Sequence, residues 1–93
     1  MIKFTEVIER RGAQYAGSTV DTYEFRDVYV NPEHIVMVRE DIHFSNQSSP
    51  QLKNKNFTKL IVNRGSSTYE TTVVGTVSDI YENINNRRSL LKG

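Results

Sequence analysis

The sequence predicts a mainly β domain of the α+β kind: a five-stranded antiparallel twisted sheet, or a small open barrel, closed by one C-terminal helix. Apolar, β-branched and aromatic residues recur in short runs separated by turn residues, which is the signature of consecutive strands. Residues 59–74 have the form of a hairpin: Leu60, Ile61 and Val62, a break at Arg64-Gly65-Ser66-Ser67, then Tyr69, Thr71, Val73 and Val74. Beyond Val74 the period changes from about two to about 3.6, because Val77, Ile80, Tyr81 and Ile84 fall at i, i+3, i+4 and i+7 on one helical face.

Taken in order, Ile2, Phe4, Glu6 and Ile8 alternate with Lys3, Thr5 and Val7 and predict a strand exposed on one side. Residues 9–22 contain Gly12 and Gly17 and no sustained period, so they read as a long mobile loop. Tyr23, Phe25 and Val28-Tyr29-Val30 predict a second strand, stopped at Asn31-Pro32-Glu33 because proline cannot donate to a ladder. Ile35-Val36-Met37-Val38 is apolar on both sides, as expected of a strand at the centre of a sheet, and could continue through Ile42 and Phe44. Residues 45–56 offer one apolar side chain, Leu52, and predict a second mobile loop. The helix starts near Val77, with Thr76 as its cap and Asp79 favouring the positive end of its dipole. Leu91 lies seven after Ile84, so the helix either continues past Asn85-Asn86 or gives way to a frayed tail at 86–93. Tyr69 and Tyr81 are expected as rings flanking the core.

Ninety-three residues make one small domain, 1–93, that buries only about 60 to 65% of the surface of its unfolded chain. With 37% hydrophobic residues and no tryptophan, core material is thin, and burial of further surface between copies of the chain is expected. There is no cysteine, which excludes disulfides, thiolate metal sites and thiol nucleophiles. The opening Met1-Ile2-Lys3-Phe4-Thr5-Glu6 carries charges where a signal peptide has an apolar run, and no stretch approaches the roughly 20 apolar residues of a membrane span. A cytoplasmic protein without a membrane partner is therefore expected. The net charge of +1 supplies no overall field for nucleic acid, so any anion site must come from local clusters.

No catalytic constellation stands out, and neither a cofactor nor a metal is expected. His34 and His43 bear no spacing relation to Ser48-Ser49 or Ser66-Ser67, and His34, His43, Glu40 and Asp41 do not compose a ligand set by spacing. The isolated Gly12, Gly17 and Gly65 match no phosphate-binding pattern. What remains is basic residues interleaved with aromatics. Arg10, Arg11, Tyr15 and Arg26 surround the first predicted loop, and Lys53, Lys55, Phe57 and Lys59 the second, and both loops could line one pocket for an anionic ligand. The alternative for the same residues is to solvate loops and guard edge strands, as Arg87-Arg88 could simply complement the helix dipole.

The opening Met1-Ile2-Lys3-Phe4-Thr5, Asn31-Pro32-Glu33-His34-Ile35 leading into a strand, Thr58-Lys59-Leu60-Ile61-Val62 with Gly65 after it, and Val73-Val74 entering Ser78-Asp79-Ile80-Tyr81-Glu82-Asn83-Ile84 cover about half the chain. In these segments the sequence resembles the FlbD (SwrD) type of small flagellar-motility protein, a family also met among short phage and bacterial proteins. It departs from that family by extra residues between Arg10 and Asp27 and between His43 and Phe57. The resemblance implies an accessory protein, not an enzyme, that acts through contacts with a flagellar or host protein. The function expected is thus a small non-enzymatic binding protein acting as a homo-oligomer. The alternative is a phage-type protein that binds or sequesters an anionic nucleotide signal, or a binder of single-stranded nucleic acid.

Overall fold

The computed structural model describes residues 1–15, 18–46 and 49–92, with the side chains of residues 11–21 and 87–92 outside that description. Its elements are β1 (Ile2–Tyr15), β2 (Ser18–Val30), a 3-10 turn (Pro32–His34), β3 (Ile35–Glu40), α1 (Ile42–Ser45), a second 3-10 turn (Pro50–Leu52), β4 (Phe57–Asn63), β5 (Thr68–Val74) and α2 (Val77–Lys92). All five strands join one antiparallel sheet in the order β2-β1-β5-β4-β3. The fold class is the one the sequence predicts, in its open-sheet form.

Residues 9–22 are the first difference. Most of them belong to the arms of the β1–β2 hairpin, with Arg10 opposite Thr22, Arg11 opposite Asp21 and Tyr15 opposite Ser18. Two strands can pair through backbone bonds alone, so a hairpin arm does not require an apolar period. β1 meets β5 only around Glu6 and Val73, so the distal hairpin runs on as a two-stranded arm. Six residues of strand add about 20 Å. The molecule measures 58 × 31 × 20 Å, and its radius of gyration of 15.2 Å compares with about 12 Å for a compact chain of this length.

The pleat sorts the apolar residues onto two faces. On one, Ile2 and Phe4 of β1, Val30 of β2, Ile35 of β3, Leu60 and Val62 of β4 and Val73 of β5 are covered by Ile80 and Ile84 of α2. On the other, Val7, Tyr23 and Phe57 receive Leu52, with Phe25, Phe44 and Val74 packed around them. α2 starts as its sequence predicts: Thr76 Oγ1 accepts from the Asp79 N–H at 3.1 Å, and its carbonyl accepts from Ile80 N–H. Its backbone stays helical to Lys92, past the Asn pair. Gly75 makes the strand-to-helix corner at φ 134°, a region side chains disfavour, and a Cβ there would stand 3.1 Å from Ile80 Cδ1.

Residues 45–56 also differ from the open loop expected of them. Asp41 ends the strand where continuation through Ile42 and Phe44 was expected, because its carboxylate caps the next turn by accepting from Phe44 N–H at 3.2 Å. The segment then crosses the sheet. Gln51 exchanges two hydrogen bonds with the Tyr23 backbone, at 3.1 and 3.2 Å, taking the place of a neighbouring strand on the outer edge of β2. Leu52, 3% exposed, fills the second core. One leucine and one amide suffice because the sheet supplies the rest of the apolar surface.

The largest correction concerns β3. The apolar run Ile35–Val38 lies at the edge of the sheet, and the centre belongs to β5. Val36 and Met37 are 58% and 49% exposed, and a register shift between Ile35 and Met37 sets Val36 outside the ladder. The central strand instead buries Thr71 and Thr72. Their side chains point to opposite faces, Thr71 donating to Glu6 of β1 and Thr72 Oγ1 donating to Asp41 Oδ2 at 2.5 Å.

Two stability measurements follow from this packing. Leu52→Ala is expected to cost about 2 to 4 kcal/mol in urea unfolding, the usual loss for a buried leucine, whereas a detached crossover would lose almost nothing. Thr72→Val, which keeps the shape and removes a donor from the buried Asp41 carboxylate, is expected to cost about 1 to 3 kcal/mol, and a neutral result would show that Asp41 does not depend on that bond.

Candidate functional site

The cations singled out in the sequence are not brought to one pocket. Arg10 Nε donates to Glu24 Oε2 at 2.8 Å, and Arg26 Nε donates to Glu6 Oε1 at 3.3 Å, in a cross-strand ladder on the hairpin face that continues the α2 side of the sheet. Both arginines are more than half exposed, so these pairs contribute little stability, but each guanidinium already has a carboxylate. The side chains of Arg11 and Tyr15 lie outside the described residues. Lys55 sits on the opposite face, its Nζ 5.6 Å from the centroid of the Phe25 ring, and Lys53 is exposed after the second 3-10 turn. Phe57 is 1% exposed in the second core and offers no ring to a ligand. The strand period explains the outcome: Arg10 and Arg26 share one parity of the hairpin, while Phe25, beneath Lys55, has the other.

The histidines and acids are equally dispersed. His43 Nε2 is 3.0 Å from Glu9 Oε2 and its ring meets Phe44 edge-on, with centroids 5.3 Å apart. Asp41 is buried and engaged by Thr72 and Phe44, and His34 is exposed at the end of the first 3-10 turn. Among the described residues no three His, Asp or Glu side chains gather as a metal site. No helix among them is long and apolar enough to cross a membrane.

A different surface does come together. α2 lies against β3 with Ile80 and Ile84 inward, which leaves Tyr81 58% exposed at the rim, against the expectation of a core-flanking ring; Tyr69 does pack against the core. Ile35, Val36, Met37 and Val38 line one side of a groove of about 230 Å³, and Tyr81, Ile84 and Asn85 the other. The groove follows the open edge of the sheet. There the outward backbone groups of β3 have no neighbouring strand, whereas on β2 Gln51 occupies part of the edge. An exposed edge strand beside an apolar helix flank can accept a further strand through backbone hydrogen bonds while its side chains fill the groove.

Val36, Met37 and Tyr81 were not singled out as a contact surface from the sequence. A signal was present: the apolar run is bracketed by Glu33-His34 and Arg39-Glu40, and charges at both ends of a short strand are a common guard on an edge. Compared with known protein families, with curated proteins and with solved structures, the chain finds no match.

Proposed function

We propose that this chain is a small, non-enzymatic binding protein that acts as a homodimer, with the open edge of β3 and the adjoining flank of α2 as its contact surface. The observation that carries the reading is the uncovered apolar strip of Val36, Met37 and Tyr81 along a strand edge that has no partner in the sheet. Large apolar side chains grouped at such an edge favour contact with another chain over water.

Surface area supports a second copy as the occupant. The accessible surface of 6556 Å² exceeds by roughly 1000 Å² the value expected for a monomer of this mass. Part of that excess belongs to the projecting hairpin. A standard interface hides about 600 to 1000 Å² per partner, which would bring the chain back to an ordinary surface. Charge permits the pairing: antiparallel association about a two-fold axis brings Glu33 at the start of one β3 toward Arg39-Glu40, a segment of no net charge, at the end of the other. The bulge at Val36 bends the edge, which favours a closed pair over an extended fibre. The resemblance to small motility accessory proteins agrees with a role played through contacts and not through a reaction.

Light scattering with native mass spectrometry tests the reading. The native chain is expected to have the mass of a dimer that dissociates on dilution, and Val36→Glu combined with Met37→Glu to weaken association about a hundredfold or more at unchanged circular dichroism. A native chain that stays monomeric at every concentration, or a double variant that keeps its mass, would overturn it.

A further inference from the structure

At the end of the sheet opposite the hairpin arm, the strand termini enclose an open cleft of about 290 Å³ that shares no lining residue with the β3 groove. Tyr29, His34, Arg64 and Tyr69 line it, together with Asn31 and Asn63. The β4–β5 turn positions Arg64. Asn63 Oδ1 accepts from Gly65 N–H at 3.0 Å, Gly65 takes φ 87°, and Arg64 N–H donates to Ser67 O at 2.7 Å, so the turn is closed by its own bonds. The Arg64 guanidinium then lies over the Tyr69 ring, 4.9 Å from its centroid.

Arg64 and His34 have no carboxylate partner among the described residues, and, unlike the surroundings of Arg10, Arg26 and Lys59, the cleft is lined by no Asp or Glu. Tyr29 is 62% exposed. Lys3 stands opposite Tyr29 in the β1–β2 register and adds positive charge beside it. A guanidinium held on a ring, with its donors still available, suits a phosphate or carboxylate, and an exposed tyrosine offers a stacking face. The volume lies at the low end for ligand pockets, which sets the size at one ring and one anionic group.

From this juxtaposition we infer a binding site for a small anion that carries a planar ring, of the mononucleotide class. Arg64, seated on Tyr69, holds the anionic group, His34 supplies field, and Tyr29 at the rim of the cleft takes the ring.

Adenosine monophosphate is the probe, titrated into the full-length chain at low salt and followed by NMR, with inorganic phosphate and adenosine titrated in parallel. Saturable shifts are expected at residues 64–69 and at the Tyr29 ring, stronger for the nucleotide than for either part. Arg64→Gln is expected to weaken binding about tenfold or more, as loss of a charge-assisted contact does, and Tyr29→Ser to weaken the nucleotide but not phosphate. Lys53→Gln removes a charge elsewhere and is expected to leave binding unchanged. Absence of saturable shifts, phosphate or adenosine binding as well as the nucleotide, or equal losses in the Lys53 and Arg64 variants would each overturn the assignment.

Discussion

Two adjacent threonines on the central strand tie the layers of this domain together. Thr71 and Thr72 are consecutive, so the pleat sends one hydroxyl to each face of the sheet. Thr71 reaches Glu6 on β1 and joins the hairpin half to the β3–β4–β5 half, and Thr72 reaches Asp41, where the chain leaves β3 to cross the opposite face. A third buried hydroxyl, Thr58, donates to the Gly75 carbonyl at 2.8 Å and holds the corner from which α2 departs. Buried polar groups are costly when unpaired, so each of these bonds selects one arrangement of its neighbours over alternatives in which the group would be stranded.

From that arrangement the unequal character of the two outer edges follows. The crossover that starts at Asp41 places Gln51 against the β2 backbone and Leu52 in the second core, and thereby occupies part of one edge and one face. α2 covers the other face, but its register over Ile80 and Ile84 leaves Tyr81 outside, next to Val36 and Met37. A sheet this small cannot bury every apolar residue it carries. Val36, Met37 and Tyr81, half of the large apolar side chains left exposed among the described residues, gather where neither covering layer reaches and form the proposed contact surface. Met1, Tyr29 and Ile42 are exposed elsewhere.

The positive charges obey a comparable division. On the hairpin they stand in register with acids, Arg26 opposite Glu6 and Arg10 diagonal to Glu24, and the local field is largely cancelled. At the other end of the sheet the turn that holds Arg64 brings no acid with it. An aromatic ring occupies the flank of the guanidinium without neutralising it, so its charge remains available to a solute.

Five strands, their boundaries at Pro32 and Gly65, the Thr76 cap and the helical face of Ile80 and Ile84 were legible from local pattern, because turn chemistry and side-chain period act over a few residues. The position of each strand in the sheet was not. Ile35-Val36-Met37-Val38 has the composition of a buried strand and lies at the edge, while Thr68–Val74, with three threonines and a glutamate, occupies the centre. Strand order depends on which distant segments meet, here β1 with β5, and on hydroxyl partners dozens of residues away that no local window contains. The same limit applies to the site residues. Lys55 and Arg26 each flank a predicted loop, yet the pleat separates them, and the cluster of Tyr29, His34, Arg64 and Tyr69 exists only because the sheet brings the ends of separate strands together.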